Sequence, residues 1–388
     1  MSFDELIDRR GSHCMKWDLF DKLYDVPADD GLAMWVADMD FRPPACVQQA
    51  VQDMVDHGVY GYFGDNSKYL AAIQWWMSER HGWDIHPDWV FTTHGLVNGT
   101  AMCVDAFTAP GDGVVLFTPV YHAFAKVIRA AGREVVEMEM VNANGRYEMD
   151  FDTYDAAMTG RERMVILCSP HNPGGRVWTK AELEGVAAFA QRHDLILVSD
   201  EIHHDLTFGA THTPMAKIDG IEDRLVMMTA TTKTFNIAGS HSGNVIIPDP
   251  DLRKRFGDRM MALGMSPNSF GLFMATAAYS PEGAVWVDDL CTYLDGNRRV
   301  FDDGVNAIPG LSSMPLESTY LSWVDFSGTG MERSEFTSRV EKHAKIAANH
   351  GPTFGKGGES FLRFNIATPR SRVEQAVQRL AEAFGDLQ

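Results

Sequence analysis

Cysteines are few in this chain, and none of the five lies in a C-x-x-C pair. An odd number of scattered cysteines in a chain of 388 residues is typical of reduced thiols and does not indicate a disulfide framework. The N-terminal "MSFDELIDRR" is charged from residue 4 onward, which a secretory signal is not. We therefore expect a cytoplasmic protein.

Basic residues are also scarce. Lys and Arg number 34 against 53 Asp and Glu, which gives a formal net charge of −19. Such an acidic composition offers no electrostatic footprint for nucleic acid or for an anionic membrane. No run of 18 apolar residues occurs, so the sequence predicts no membrane-spanning helix. We expect neither nucleic acid nor a membrane as a partner.

From about residue 90, the chain alternates short apolar segments with amphipathic helices. The apolar segments are "DWVFTTHG", "VVLFTP", "RMVILCSP", "LILVSDEI", "RLVMMTA" and "GNVIIP". One of the helices begins with a capping box, Thr179 with Glu182. This alternation predicts an α/β fold with a mostly parallel sheet between helices. Ligands bind at the carboxyl ends of such strands.

The length and a change of pattern predict two domains. After about residue 290, strands and helices are segregated, as in "STYLSWVDF" and "ESFLRFNIA", which fits a smaller α+β domain. We predict a large domain over 44–290 and a small domain over 291–388. Residues 1–43 are expected to join the small domain.

A lysine at the end of an apolar strand raises the first functional question. Lys233 follows "RLVMMTA", where the chain turns away. One interpretation is a side chain that covers apolar surface and extends its ammonium group into water. The other is a partly desolvated lysine whose neutral amine does chemistry. Taken alone, the segment favours the first.

Other strand ends carry specific residues that also have ordinary structural interpretations. Gly95 starts a helix, a geometry that accepts phosphate but is also a simple helix cap. Tyr121 fits a core aromatic, and Asn172 lies in the turn sequence Asn-Pro-Gly-Gly. Asp200 ends a buried strand, where a carboxylate caps a helix or meets a cation or hydrogen-bond donors.

A metal centre is a further interpretation of "DEIHHDL". His203, His204 and Asp205 are all metal-ligand types. Adjacent histidines point in different directions, however, and we find no distant Cys/His pair to complete a site. We therefore predict no metal.

Pyridoxal 5′-phosphate (PLP) would use all the strand-end residues together. It needs a lysine for an imine, a carboxylate that keeps its ring nitrogen protonated, and a donor to its phenolate oxygen. It also needs a ring to stack on and a helix N-terminus for its phosphate. The chain supplies these in the order Gly95, Tyr121, Asn172, Asp200 and Lys233. The sequence therefore predicts PLP as the cofactor.

Motifs along nearly the whole chain are similar to those of a known family. They are "DRRGSHCMKWD", "MWVADMDF", "HGVYGYF", "PVYHAF", "CSPHNPGGRVW", "SDEIHHDL", "TKTFNIAG" and "FLRFNIATPR". On these motifs the chain resembles fold-type I PLP-dependent enzymes of the aspartate aminotransferase superfamily. It is most similar to the MalY/PatB-type cystathionine β-lyase (C–S lyase) branch. The resemblance implies an aspartate aminotransferase-like fold and a homodimer.

The resemblance also implies roles around the cofactor. Lys233 would form the imine and then shuttle a proton, Asp200 would pair with the ring nitrogen, and Tyr121 would stack on the ring. These three are the predicted catalytic residues. The other implied cofactor contacts are Asn172 and His203 at the phenolate oxygen, and Gly95, Leu96, Val97, Thr231, Thr232 and Tyr62 at the phosphate.

Substrate contacts follow from the same resemblance. Arg363 in "FLRFN" matches the arginine that grips the substrate α-carboxylate, a role suited to its bidentate fork. Ala37 and His122 are expected beside the amino-acid substrate. Tyr62 in "YGYF" is expected to reach the site of the neighbouring subunit.

Four positions bear on the reaction. His203 stands where aminotransferases of the superfamily usually carry tyrosine, as it does in C–S lyases. Ala230 and His241 replace a serine and an arginine that touch the phosphate in relatives, and His122 replaces a second tyrosine. We expect α,β-elimination from an L-amino acid with a thiolate leaving group on Cβ, which gives a thiol, pyruvate and ammonia.

Other functions stay open at this point. An aminotransferase is the main alternative, because both reactions begin with loss of the α-proton. A regulatory or binding protein that has kept the fold is a weaker one, since Lys233, Asp200 and Arg363 are intact. A nucleotide-dependent dehydrogenase would need G-x-G-x-x-G after the first strand, and we find none there.

Overall fold

The computed structural model describes residues 3–387. The strands are β1 (Leu32–Ala33), β2 (Val90–Thr93), β3 (Gly113–Thr118), β4 (Glu134–Glu139), β5 (Val141–Asn142), β6 (Tyr147–Glu148), β7 (Glu162–Cys168), β8 (Ile196–Asp200), β9 (Leu225–Thr229), β10 (Gly243–Ile246), β11 (Ser312–Ser313), β12 (Leu321–Asp325), β13 (Ile346–Ala347), β14 (Asn349–His350) and β15 (Phe361–Asn365). The α-helices are α1 (Met15–Asp18), α2 (Phe20–Leu23), α3 (Ala45–His57), α4 (Ser67–His81), α5 (Leu96–Phe107), α6 (His122–Ala130), α7 (Phe151–Ala157), α8 (Lys180–Arg192), α9 (Thr231–Thr234), α10 (Pro250–Ala262), α11 (Ser269–Ala278), α12 (Pro281–Asn306), α13 (Arg333–Ser338) and α14 (Arg370–Ala383). None of the helices within residues 3–387 combines the length and apolar character needed to cross a bilayer.

Seven strands form the large sheet, in the order β2-β10-β9-β8-β7-β3-β4. Strands β9, β8, β7, β3 and β4 pair in parallel, whereas β10 is antiparallel to both β9 and β2. Strand β2 therefore runs in the same direction as the parallel strands. The predicted mostly parallel sheet is confirmed, and only β10 is reversed. The carboxyl ends of β2, β9, β8, β7 and β3 consequently lie at one edge.

The large sheet is buried on both faces, which explains why its strands read as continuous apolar segments. In β3, Val115 and Phe117 pack into one core cluster, and Val114 and Leu116 pack into the other. This alternation follows from the two-residue period of a strand. Helices on each side cover the two faces, so polar groups of the strands are accessible mainly at their ends.

A second sheet, in the order β11-β12-β15-β14, is antiparallel throughout. Strand β1 pairs in parallel with β13, so the N-terminal segment is attached to the C-terminal part of the chain. Helix α12 runs without a break across residue 290. The domain boundaries at 43 and 290 stay predictions, and the second of them falls inside this helix.

A buried charge cluster anchors the segment that follows β1. Asp40 is 1 % exposed and accepts hydrogen bonds from Arg9 Nη1 (2.9 Å), Lys16 Nζ (3.1 Å) and Trp17 Nε1 (2.8 Å). Burial alone would raise the pKa of Asp40, but the charge of Lys16, the Trp17 hydrogen bond and the charge of Arg9 lower it below its usual value. The cluster fixes the chain just beyond the residues that approach Lys233.

Candidate active site

The carboxyl edge of the large sheet gathers the residues that the sequence places at strand ends. Across the sheet, the order is Gly95 after β2, Lys233 after β9, Asp200 at the end of β8, Asn172 after β7 and Tyr121 after β3. The order of these residues across the sheet therefore differs from their order along the chain. The strand that leads to Lys233 becomes the direct neighbour of the strand that ends in Asp200.

Lys233 lies in the short helix α9, and its amine points to backbone rather than to an acid. Its Nζ donates to the Ala37 carbonyl oxygen at 2.6 Å. Within residues 3–387, no carboxylate forms an ion pair with it. Burial lowers the pKa of Lys233 to about 8, and the Arg363 charge acts in the same direction, whereas Asp38 and Asp200 oppose the shift. The geometry favours the desolvated amine over the lysine that extends into water.

Asp200 is a buried carboxylate without a cation. It is 5 % exposed, its Oδ1 accepts from Ile202 N at 3.1 Å, and no ion pair reaches it from the described residues. Burial raises the pKa of Asp200 to about 7. A protonated ring nitrogen is the type of partner that would offset this cost. In this respect the site fits PLP.

Arg363 and Asn172 form a fixed pair at the centre of the site. Arg363, on β15, donates from Nη1 to Asn172 Oδ1 (3.0 Å), and from Nη2 to the Trp35 carbonyl oxygen (2.9 Å) and to Asn349 Oδ1. It is 2 % exposed, its Nε has no hydrogen-bond partner in the part of the chain that the structure describes, and burial lowers its pKa to about 10. No carboxylate of the described residues pairs with it. The guanidinium is therefore held in place while part of its donor capacity is unused.

Donors for a phosphate converge at the other end of the strand edge. Gly95 precedes α5 with φ +82°, and a Cβ there would meet open space. The N–H groups of Leu96 and Val97 begin the helix, where the helix dipole favours an anion. Thr231 is buried and its Oγ1 has no hydrogen-bond partner, and Thr232 next to it is also buried. These groups fit the phosphate of PLP.

The predicted aromatic and histidine contacts occupy different environments. Tyr121 is half-buried just before α6, and its ring is edge-on to His122 with centroids 4.9 Å apart. His122 is exposed, with its ring edge-on to Phe354 at 5.7 Å. His203 is buried, and its Nδ1 has no hydrogen-bond partner. His241, in contrast, is exposed and has φ +46°.

Tyr62 is the predicted site residue that the single chain does not bring to the others. Its side chain is fully exposed, and no hydrogen bond or ring contact joins it to the residues above within the described part of the chain. It lines a separate cavity of about 630 Å³, together with Tyr60, Phe63 and Phe273.

A backbone contact near the lysine was not predicted from the sequence. The Ala37 carbonyl oxygen accepts from Lys233 Nζ and also from Tyr320 Oη at 2.9 Å. Asn365 Nδ2 donates to the carbonyl oxygens of Val36 and Asp38, both at 2.6 Å. The segment 35–38 is thus fixed over the site. The motif "MWVADMDF" is the one indication of this contact that we find in the sequence, because every residue type has a backbone carbonyl oxygen.

The prediction of no metal assumes that no further histidine joins "DEIHHDL", and the fold brings two. His81, which is distant along the chain, and His212, which lies a few residues after this motif, are brought against His204, Asp205 and Glu201. The ligand atoms of His81, His204 and Asp205 lie within 4.8 Å of one another, as do those of Glu201, His204 and His212. Sequence spacing gave no indication of this cluster.

Known proteins resemble this chain over its whole length. The profile of the aminotransferase class I and II family matches residues 31–380. Cystathionine beta-lyase PatB of Bacillus subtilis is 36 % identical over 388 residues, which cover 99 % of this chain and 100 % of PatB. Protein MalY of Escherichia coli is 31 % identical over 387 residues, which cover 98 % of each chain.

A solved structure gives the same result. Cystalysin from Treponema denticola, which contains PLP, has a TM-score of 0.95 and 35 % identity, covering 100 % of this chain and 99 % of cystalysin. The sheet order and the strand-end residues define the class as an α/β protein with the aspartate aminotransferase-like fold. The chain belongs to the aminotransferase class I and II family. The predicted family and fold are confirmed.

Proposed function

We propose that this chain is a PLP-dependent carbon–sulfur β-lyase of the cystathionine β-lyase type. It would convert an L-amino acid with a thiolate leaving group on Cβ, together with one molecule of water, into a thiol, pyruvate and ammonia. The observation that carries the proposal is that three groups meet at one sheet edge: an amine with a lowered pKa, a buried carboxylate that no cation of residues 3–387 reaches, and an arginine that no acid of these residues reaches. Whole-length similarity to PatB and to cystalysin supports the cofactor and the reaction class.

Lys233, Asp200 and Asn172 would hold the cofactor ring. When bound, PLP supplies the electron sink that accepts the electrons of the substrate Cα–H bond. Asp200 would keep the ring nitrogen protonated, because an adjacent positive charge stabilises a buried carboxylate. Asn172 Oδ1 already accepts from Arg363, which leaves its Nδ2 to donate to the phenolate oxygen. Tyr121 and His203 lie beside the site. Their positions support the proposed stacking of Tyr121 on the ring and the proposed contact of His203 with the phenolate oxygen.

The phosphate would lie at the start of α5. Gly95 allows close approach because it has no side chain, and Leu96 and Val97 contribute N–H groups. Thr231, whose hydroxyl has no partner among the described residues, and Thr232 would supply donors in place of the serine and arginine that Ala230 and His241 replace.

Arg363 would bind the substrate, and Lys233 would remove its α-proton. Arg363 holds the α-carboxylate with the donors that Asn172, Trp35 and Asn349 leave free. This places Cα near Lys233 Nζ, whose lowered pKa makes the neutral amine available to remove the α-proton. The Cβ–S bond then breaks and the thiolate leaves. The exposed His122 lies at the entrance, and the Ala37 carbonyl oxygen orients the amine.

We further propose that the enzyme is a cytoplasmic homodimer in which Tyr62 reaches the site of the neighbouring subunit. The full exposure of Tyr62, within an apolar surface that includes Val59, Tyr60 and Phe273, supports a covering partner. Five free cysteines support a reducing compartment.

An aminotransferase is the second candidate, because the matching family profile is that of the class I and II aminotransferases. If a proton returned to the cofactor from Lys233 before the Cβ–S bond broke, the amino group would be transferred instead. The partition depends on which of these two steps is faster.

Product analysis tests the proposal. The enzyme is incubated with L-cystathionine and with S-conjugates of L-cysteine, without any keto acid, and pyruvate and free thiol are assayed, with Lys233→Ala as the control. Equal amounts of pyruvate and thiol from the wild type alone are expected. No pyruvate, but amino-group transfer once a keto acid is added, would show an aminotransferase instead.

A further inference from the structure

A cluster of three histidines and two carboxylates lies buried next to the strand that ends in Asp200. Its members, called here the histidine cluster, are His81, Glu201, His204, Asp205 and His212. Each of these side chains is less than a tenth exposed. The proposed lyase reaction uses none of them.

The nitrogen and oxygen atoms of the histidine cluster converge. Nε2 of His81 lies 2.9 Å from Asp205 Oδ1, and Nε2 of His204 lies 3.3 Å from Asp205 Oδ2. On the other side, Nε2 of His212 lies 2.8 Å from Glu201 Oε2. Ligand atoms around a tetrahedral Zn²⁺ with bonds of about 2.0–2.1 Å are roughly 3.4 Å apart. Small shifts would therefore bring three ligands onto one ion.

Among residues 3–387, His204 is the member of the histidine cluster whose buried ring forms no hydrogen bond. Both of its ring nitrogens are buried, and neither makes a hydrogen bond within residues 3–387; the 3.3 Å approach to Asp205 lacks hydrogen-bond geometry. A buried polar group without a partner is costly. The ring stacks on His81 with centroids 4.1 Å apart, and it belongs to both sets of converging ligand atoms. Its Nδ1, which has no partner among residues 3–387, and its Nε2, which has only the 3.3 Å contact with Asp205, can therefore bind a cation.

The two carboxylates are already oriented by donors outside the cluster. Asp205 accepts from Trp76 Nε1 at 2.9 Å and from Thr234 Oγ1 at 2.8 Å. Glu201 Oε1 accepts from Ser199 Oγ at 2.9 Å and from Met215 N at 2.8 Å, which leaves Oε2 facing His212. Metal-binding carboxylates are typically fixed by outer donors of this kind.

We propose that the histidine cluster binds one divalent transition-metal ion of the zinc type, with His204 as the ligand common to both sets. Imidazole nitrogens and carboxylate oxygens are ligands that Zn²⁺ accepts, and there is no thiolate in the set. His204 links the turn after β8 to the end of α4, which carries His81, in one set and to the loop that carries His212 in the other. The ion has a structural role, because the reaction needs no metal at this position.

Metal content and affinity of the PLP-loaded enzyme test the proposal. The protein is stripped with a chelator and titrated with ZnCl₂ against a chromophoric competitor, in the wild type, in His204→Ala and in the control His193→Ala. His193 contacts the Asp155 carboxylate at 2.7 Å and, among residues 3–387, belongs to neither set of converging ligand atoms. We expect about one tightly bound Zn²⁺ per wild-type chain and per control chain, and at least tenfold weaker binding to His204→Ala.

Two further measurements make the result independent of the folding of one variant. Replacement of Zn²⁺ by Co²⁺ should give the wild type an intense visible ligand-field spectrum, and His212→Ala should alter that spectrum. Absence of saturable Zn²⁺ binding by the wild type would overturn the proposal. So would equal affinity in wild type, His204→Ala and His212→Ala. The PLP absorbance of each variant, measured beside the metal, shows whether the holoenzyme is intact.

Discussion

Replacing Arg363 with lysine keeps the positive charge and removes hydrogen-bond donors. Arginine has five N–H groups, and three are used by Asn172, Trp35 and Asn349, which leaves two for a substrate carboxylate. Lysine has three N–H groups in all, so it cannot serve the three protein acceptors and the substrate together. The variant therefore loses at least one charge-assisted hydrogen bond to the substrate.

The size of the effect follows from that count. One charge-assisted hydrogen bond contributes about 1.5–3 kcal/mol, and ~1.4 kcal/mol corresponds to a factor of ten. We expect kcat/KM for pyruvate release from L-cystathionine to fall roughly 10- to 140-fold in Arg363→Lys, mainly through a higher KM. Steady-state assays over a wide range of substrate concentrations measure both parameters.

Two controls define what would refute this reasoning. The decarboxylated analogue of the substrate cannot use Arg363, so wild type and Arg363→Lys should process it equally slowly. Arg161→Lys, at an exposed position that pairs with Glu134 of β4 at 3.5 Å, should leave KM unchanged. The reasoning fails if KM for L-cystathionine in Arg363→Lys stays within twofold of the wild type, or if the analogue suffers the same loss.

Three other predictions concern the buried charges. Lys233→Ala should bind PLP without the visible absorbance band of an enzyme-bound imine, and a band identical to that of the wild type would contradict the assignment. Because burial raises the pKa of Asp200 to about 7 from an unfolded value near 3.8, its contribution to the stability of the apoprotein is present below about pH 4 and is lost as pH rises through 7. Relative to Asp200→Asn, the free energy of unfolding in urea should fall by about 4 kcal/mol over that range, and a constant difference would contradict the shift. Asp40→Ala should lower the free energy of unfolding by about 3–5 kcal/mol, since the fully buried Lys16 loses its nearest carboxylate and keeps only that of Asp38, 3.9 Å away; a loss below about 1 kcal/mol would show that Asp38 or water replaces it.

The sheet could be predicted because its strands carry a strong and local signal. Segments buried on both faces are continuous apolar runs, and residues that follow parallel strands must meet at one edge. Strand β4 (Glu134–Glu139) was not predicted, because it lies at the edge of the sheet and glutamates occupy three of its positions. The capping box of Thr179 and Glu182 is present as predicted.

The contacts that depend on distant packing could not be predicted. Tyr320 meets the Ala37 carbonyl oxygen across most of the chain, and neither residue type indicates such a contact. His81 reaches His204 only because α4 packs against the turn after β8, and His212 reaches it through the loop that follows this turn. Sequence spacing describes neighbours along one element, and these residues belong to different elements.

The Ala37 carbonyl oxygen links cofactor loading to the N-terminal segment by thermodynamic reciprocity. If the Lys233 amine were taken up by PLP, as proposed, it would no longer donate as it does in the free protein, and Tyr320 would remain as the donor to this carbonyl oxygen. Loading would then change the local free energy of a segment whose far end is fixed at Asp40. By linkage, if PLP binding loosens that fixed end by a given factor, loosening the fixed end changes PLP affinity by the same factor. The rate of amide hydrogen exchange near residue 37 should therefore report the fraction of chains that hold PLP, and this measurement requires no substrate.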